Sequence, residues 1–394
     1  MKIVYHHRTQ GRGAEGVHIR EVVKAWRKMG HEVFVVSPPG IDVFKDESKE
    51  NIGLKSGFLA RFWAIFSRYV PQIVFEIMEI FYNFSARRKI SKIVDAEKID
   101  FIYERYAFFC WAGVKCAKRN GIPIILEVNE ISGIKRVRGQ ILKNIAKKIE
   151  VNNFKQASVI VVVSEFLKQK IAEEGVSSEK IQVVPNGVNP EVFSPDVDAS
   201  GIIAKYNLVG KVVIGFVGGF VEWHNFELLF ESFKEASAHS SKNLCLLLLG
   251  DGHLRKELES NVLSLNIANK VIFAGKVSHE EVPAYIKAMD VCVIPQSNEF
   301  RSPIKLFEYM IMGKPVVAPK LPPIQMVVKE NIEAVLFNSK GRNELAEKIS
   351  LLSDDEELRS KIGLKAREKV MRYYLWENNA DIILNKFVQI TNLK

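Results

Sequence analysis

A lysine and a glutamate three positions apart, Lys305 and Glu308, stand in the run Ser302-Pro303-Ile304-Lys305-Leu306-Phe307-Glu308-Tyr309-Met310. Gly313-Lys314-Pro315 and the apolar Val316-Val317-Ala318 follow it. Ser302 can cap a helix, Pro303 in the first turn forfeits no needed hydrogen bond, and Gly313 can end the helix before the next strand. Such a helix N-terminus offers free backbone N–H groups and the positive end of a dipole, which suit a phosphate, and Lys305 adds a full charge. Glu308 lies one turn on, on the same face and about 4.5 Å further along the axis. Donors for a phosphate beside a carboxylate that accepts from hydroxyls match a diphosphate followed by a ribose diol. A capped surface helix with an intrahelical Lys–Glu pair has the same sequence, and this segment alone does not separate the two.

Glycines recur where a ligand would need close access to the backbone. Phe216-Val217-Gly218-Gly219 ends one apolar run just before Trp223-His224-Asn225, Gly250-Asp251-Gly252 follows Leu249, and Gly275-Lys276-Val277 follows the next run. Glycines at the carboxyl ends of parallel strands let a ligand approach closely, and several on one edge describe a pocket. Each alone is also an ordinary turn. Gly11-Arg12-Gly13-Ala14-Glu15-Gly16 matches G-x-G-x-x-G after the first strand. Two details count against a dinucleotide there. Several polar residues separate the strand end near His6 from the first glycine, and the second strand closes on Val36-Ser37-Pro38 without an acid for an adenosine ribose. The better reading is a flexible loop whose amides at Gly13, Ala14 and Gly16 face a cleft, with a plain strand–helix connection as the alternative. His6, His7, His18 and His224 show no metal spacing, no carboxylate cluster suggests calcium or magnesium, and no Ser-His-Asp or Cys-His set can be argued. The expected chemistry is positioning and electrostatics.

The elements that must carry these residues are legible as apolar runs of strand length between helix-length amphipathic stretches. Ile3–Tyr5, Val33–Val36, Phe101–Tyr103, Ile122–Leu126, Val159–Val163 and Gln182–Val184 form one series. The pattern restarts at Val212–Val217 and continues through Leu244–Leu249, Val271–Phe273, Val291–Ile294, Pro315–Ala318 and Ala334–Phe337. This predicts an α/β protein of two doubly wound parallel-sheet domains, with a linker rich in turn formers from Pro185 to about Lys211. The expected domains are 1–190 and 191–371. Beyond Asp354 the pattern is helical, and a last helix around Trp376–Phe387 can stay on the second domain or return to the first. From Phe58 to Phe84 apolar positions recur at helical spacing, interrupted by Pro71, with Arg61 and Arg68 beside Phe62, Trp63 and Phe66. An amphipathic helix on an anionic membrane fits that stretch; a core helix over the first sheet also fits, and Glu76 and Glu79 favour it for the second half.

With 394 residues, 47% hydrophobic and 26% charged, the chain has the composition of a soluble protein of about two domains. It has no apolar run long enough to span a bilayer, and Met1–His7 leads straight into a strand without a secretory leader, so a cytoplasmic location is expected. Cys110, Cys116, Cys245 and Cys292 form no C-x-x-C pair and read as buried free thiols. Residues 1–185 hold 31 Lys plus Arg against 20 Asp plus Glu, a net of +11 within a total of +10. The excess therefore lies in the first half and favours an anionic partner there: a membrane surface, an anionic acceptor or nucleic acid.

Ser302–Ala318, Pro185-Asn186-Gly187-Val188, Phe216–Gly219 and Gly30-His31-Glu32-Val33, in this arrangement, make the chain resemble glycosyltransferase family 4, with the GT-B fold, over almost its whole length. Tyr5–Gly11, Tyr103-Glu104-Arg105 and Leu126-Glu127-Val128-Asn129 look like a bacterial branch that makes surface polysaccharides. The resemblance implies two Rossmann-like domains facing across a cleft, acceptor mainly on the first and sugar nucleotide mainly on the second. It implies a hexosyl-type transfer with retention, without metal or cofactor, a nucleotide-diphosphate sugar being the co-substrate. The last helix, 372–394, would return to the first domain. Glu308 would hold the ribose, Glu299, Arg301, Ser302, Pro303 and Ile304 would meet the donor sugar and phosphates, and backbone near Val277 would meet the base. Lys305, Asn129 and Glu299 form the expected catalytic set, aided by Gly218, Gly219, Gly13, Ala14 and Gly16; His18, Trp63 and Phe66 stand on the acceptor or membrane side. The family's acidic pair has seven residues between its members, yet Phe300 stands eight before Glu308 and Glu299 is one place early. Gly219 and His224 replace the usual Arg and Lys, leaving Lys305 and Arg301 as the phosphate cations. A sugar-nucleotide epimerase of the same fold is the alternative enzyme, and it would need proton-transferring groups at the sugar. A basic nucleic-acid-binding protein ranks last, since no RNA-binding aromatic motif interleaves the charge.

Overall fold

The computed structural model describes residues 1–11, 13–44, 71–134, 139–339, 341 and 343–391. The twelve Val-, Ile- and Leu-rich runs all form strands, and because each is covered on both faces they read as apolar blocks rather than alternations. Two compact units result, Met1–Val184 with Trp376–Lys394, and Pro185–Leu375.

In the first unit the order is β1 (Lys2–His6), α1 (Gly13–Lys28), β2 (Glu32–Val36), α2 (Gln72–Ala96), β3 (Phe101–Arg105), α3 (Ala112–Asn120) and β4 (Ile124–Val128). Then come α4 (Lys143–Gln156), β5 (Val159–Val162), α5 (Glu165–Glu173) and β6 (Ile181–Val183). All strands are parallel in the order β2-β1-β3-β4-β5-β6. The second unit runs α6 (Ser200–Lys205), β7 (Val212–Val217), α7 (Phe226–His239), β8 (Leu244–Leu249), α8 (Arg255–Ser264), β9 (Val271–Gly275) and α9 (Val282–Lys287). It continues with β10 (Val291–Val293), α10 (Ile304–Ile311), β11 (Val316–Pro319), α11 (Pro322–Gln325), β12 (Val335–Phe337), α12 (Glu344–Asp354) and α13 (Glu356–Tyr373). Its sheet order, β12-β11-β10-β7-β8-β9, reverses direction between β10 and β7. In doubly wound sheets the crevice for a ligand opens at the carboxyl ends of the two strands flanking such a reversal.

The last helix, α14 (Trp376–Thr391), belongs to the first unit. Trp376, Ala380, Ile383 and Phe387 enter the core formed by Trp26, Tyr5, Phe101 and Tyr103. The Phe387 ring lies 4.5 Å from that of Phe101, and Trp26 Nε1–H donates to the Ala380 carbonyl at 3.3 Å.

Two sequence-based expectations change. The stretch from Pro185 to Lys211 is not a linker: Val188, Phe193, Ala199 and Leu208 are buried in the second unit's core, and Val188 pairs with Leu375. Turn-forming residues there shape a packed entry to the unit, so the division falls at 184/185 and 375/376 rather than 190/191 and 371/372. Helix α2 begins at Gln72, directly after Pro71. Trp63 and Phe66 lie outside the described residues.

Candidate functional site

In the second unit β10 leads through residues 294–303 into α10, whose Leu306, Phe307, Tyr309, Met310 and Ile311 are buried. The Tyr309 hydroxyl accepts from Val217 N–H at 2.8 Å, which pins α10 to the end of β7, where Gly218 and Gly219 follow. Gly313, at φ 67°, ends the helix as expected. Ser302 does not cap it. Pro303 is the N-cap, without a side-chain hydrogen bond, while Ser302 Oγ accepts from Asn186 N–H at 3.0 Å and the Ser302 carbonyl accepts from Asn186 Nδ2 at 2.6 Å. The serine is spent on tying the Pro185-Asn186-Gly187 turn to the loop before α10.

Lys305 Nζ lies 3.9 Å from the Phe216 ring centroid and 3.4 Å from His224 Nε2. His224 Nδ1 faces the Gln296 carbonyl at 3.5 Å. Burial, then the positive charges of Lys305 and Arg301, push His224 down to about 2, so it is neutral, with its Nε2 lone pair toward the lysine. Burial lowers Lys305 to about 7, against the pull of Glu308. Arg301 stacks on Trp223 at 4.9 Å and on buried Phe300 at 5.4 Å. Two cations and a helix N-terminus thus face the reversal point of the sheet, a place suited to a diphosphate.

Two glycines of this edge are required by geometry. Gly218, at φ 146°, is so close to Lys305 that an added Cβ would stand 2.6 Å from Nζ. Gly250, at φ 143°, would place a Cβ 1.9 Å from the Gly218 carbonyl. Gly218 N–H donates to Leu249 O and Gly250 N–H to Gly275 O, both at 2.9 Å, so the loops after β7, β8 and β9 sit side by side. Val277 follows the last of them, partly buried against the core. Ile304 and Pro303 are half-buried at the helix start, whereas Glu299 is exposed in the turn before it.

Glu308 is buried and meets His279, whose Nε2 lies 3.5 Å from Oε1. Phe193 packs edge-on against the His279 ring at 5.3 Å. The sequence reading passed over His279 because nothing in its spacing singles it out; it reaches Glu308 only through the loop after β9.

In the first unit the carboxyl ends of β3 and β4 carry a polar cluster centred on Glu127, which is 1% exposed. Its Oε1 accepts from Arg105 Nη1, from Asn129 Nδ2 at 2.5 Å and stands 3.2 Å from His18 Nε2, while Oε2 accepts from Tyr103 Oη at 3.0 Å and Tyr5 Oη at 3.4 Å. Burial works against its charge, yet Arg105 and His18 hold the carboxyl far below the usual range. His18 also packs edge-on against Trp376 at 4.9 Å. Asn129 and His18 are therefore brought together by a carboxylate that the sequence reading had only quoted within a motif.

The glycine segment is corrected. Gly13, Ala14 and Gly16 are not a flexible loop but the first turn of α1. Gly16 is buried, and an added Cβ would stand 1.9 Å from the Gly11 carbonyl, so its small size serves helix–turn packing. A second buried group joins His6 Nδ1 to Glu104 Oε2 at 2.6 Å, with Gly113 N–H donating to the same oxygen at 2.8 Å. Cys110 lies beside them, its thiol pushed up by burial and Glu104, and the ligand-type atoms of the three residues lie within 4.8 Å of one another. All four cysteines are buried and unpaired.

Two doubly wound parallel-sheet units in one chain define a protein of two Rossmann-like parts. Family comparison is specific on this. The family model described as Glycosyltransferase Family 4 matches residues 15–192, and that described as Glycosyl transferases group 1 matches residues 201–369. An uncharacterized glycosyltransferase of Methanocaldococcus jannaschii is 29% identical over 296 residues, 73% of this chain and 75% of that one. The UDP-Gal:alpha-D-GlcNAc-diphosphoundecaprenol alpha-1,3-galactosyltransferase of Escherichia coli is 22% identical over 76% of this chain and 78% of its own. The crystal structure of Anabaena HepE in complex with UDP superposes with a TM-score of 0.75 at 17% identity, covering 99% of this chain and 100% of that one. The chain belongs to glycosyltransferase family 4 and has the GT-B fold.

Proposed function

We propose that this glycosyltransferase moves a sugar, with retention of its anomeric configuration, from a nucleoside-diphosphate sugar to a sugar-bearing or lipid-linked acceptor. The observation that carries the reading is Lys305, held by His224 and Phe216 against the Gly218 backbone at the start of α10, one turn from Glu308. As the bond from the anomeric carbon to the phosphate oxygen breaks, negative charge grows on the diphosphate. Lys305, Arg301 and the amides of Gly219 and the first turn of α10 are fixed in advance around such a group, where each donor contributes roughly 100- to 1,000-fold in rate. Glu308 accepts from the ribose hydroxyls, and Val277 offers backbone to the base. The acceptor hydroxyl forms its bond to the anomeric carbon on the face that the leaving group vacates, and its proton passes to the departing phosphate oxygen. No enzymic nucleophile enters. In the first unit Glu127 orients Asn129 and His18, and His18 serves the acceptor. The HepE structure with UDP supports a diphosphate donor, and the relative named for a diphosphoundecaprenol substrate supports a lipid-linked acceptor.

The test is thermal shift with UDP, GDP, ADP, TDP and CMP sugars, followed by kinetics with the best donor. Stabilisation by at least one diphosphate sugar is expected. Glu308→Ala should weaken nucleotide binding about 10- to 100-fold, as for a lost hydrogen bond to a charged group. Lys305→Ala should lower kcat about 100-fold or more with less effect on KM. Unaltered kinetics in both variants would remove the assignment.

A further inference from the structure

In its first half, helix α2 turns two polar side chains inward and its most exposed phenylalanines outward. Glu76 is 1% exposed and Asn83 fully buried, because each completes a neighbouring helix. Glu76 accepts from Ile141 N–H at 2.8 Å and Leu142 N–H at 2.7 Å, just before α4, whose own N-cap makes no side-chain bond. Asn83 Oδ1 accepts from Trp111 N–H at 2.7 Å and Ala112 N–H at 3.0 Å, serving the start of α3 in the same way. The sequence reading took Glu76 and Glu79 as signs of a core helix; Glu76 does face inward, and the apolar stripe faces out.

That stripe is Ile73, Val74, Ile77, Met78, Phe81 and Phe84, with Phe81 65% and Phe84 59% exposed. Phe84 meets Trp111 edge-on at 5.7 Å, and exposed Ile141 and Ile145 lie where α4 begins beside Glu76. A surface helix ordinarily shows the opposite partition, and a contiguous apolar surface of this kind marks a contact site. Its surroundings identify the partner's charge. Further along α2 the stripe continues into exposed Arg88 and Lys92, and Lys115 lies over the Trp111 ring at 4.9 Å. Nine of the ten exposed charged residues on α2, α3 and α4 are Lys or Arg, three on each helix, and Asp95 is the tenth.

We infer that this face of the first unit lies on an anionic phospholipid bilayer, with Phe81 and Phe84 entering the boundary between headgroups and acyl chains and the lysines and arginines meeting lipid phosphates. A second copy of the chain is disfavoured, because a two-fold contact through the face would set cations against cations. Among the described residues no helix is long and apolar enough to cross a membrane, so the helix lies on the bilayer rather than through it. The inference is independent of the donor site in the other unit.

Flotation of the full chain with vesicles of phosphatidylcholine alone, and with about one third phosphatidylglycerol, tests it. Wild type is expected to float with the anionic vesicles and to be released by salt. A Phe81→Gln, Phe84→Gln variant and, separately, an Arg88→Glu, Lys115→Glu variant should each bind about tenfold less, while keeping the wild-type thermal shift with a nucleoside diphosphate, which shows the fold intact. Equal flotation of wild type and either variant overturns the inference. So does a wild type that stays off both vesicles but elutes at twice the mass of the Phe81→Gln, Phe84→Gln variant, which would assign the face to a second copy.

Discussion

A lysine pushed to about 7 is half discharged at neutral pH, and a diphosphate placed against it favours the charged form. Binding must then take up a proton. In the free protein the folded-state value lies below the unfolded value of 10.5, so between about 7 and 10.5 the unfolded chain holds more protons and stability rises with pH in that window. Ligand affinity runs the other way and weakens as pH rises above about 7. Calorimetric titration of a nucleoside diphosphate in buffers of different ionisation enthalpy, between pH 6 and about 9, should show this uptake. A Lys305→Met variant should lose both the uptake and the affinity slope; if the slope persists, another group titrates. His224 does not supply it, because burial and the adjacent cations hold it down at about 2. The histidine's part is to accept from Lys305 and keep the ammonium over Phe216 rather than out in solvent.

At the level of elements, the site is made by strand ends whose backbones touch. Gly250→Ala would drive a Cβ to 1.9 Å from the Gly218 carbonyl, and since neither atom belongs to a flexible side chain the loops must separate. We expect a loss of about 2–4 kcal/mol in denaturant unfolding. Gly219→Ala has no neighbour nearer than 3.9 Å and should be close to neutral, which makes it the control. Most of this level could be read beforehand. The twelve strands, the helix from Ile304 and the glycines after β7, β8 and β9 follow from apolar runs and turn chemistry, which are local. Partnerships across long sequence separations were not readable: Glu127 with His18, Glu308 with His279, Ser302 with Asn186. Periodicity tells which face of an element is buried, not which side chain of a distant element meets it there. Ser302 shows the cost, since a good N-cap residue in a good N-cap position was drawn into a tertiary bond instead. The first turn of α1 was misread for a related reason: glycine signals freedom in a sequence, whereas Gly16 supplies closeness.

On the scale of the molecule, each unit has its own core, and the first is completed from the far end of the chain. Phe387 is fully buried against Phe101, and its replacement by alanine should cost the first unit about 3–5 kcal/mol. Scanning calorimetry should show the transition of the first unit moving down while the transition that a nucleoside diphosphate raises stays in place; a shift of both would mean that the units unfold as one. The same placement of α14 bears on how the protein is born. All 191 residues from Pro185 to Leu375 must be translated between Val184 and Trp376. At about 5–20 residues per second the ribosome spends roughly 10–40 s on them. The half synthesised first therefore finishes folding last, holding Trp26 and Phe101 short of a partner while the second unit is already whole.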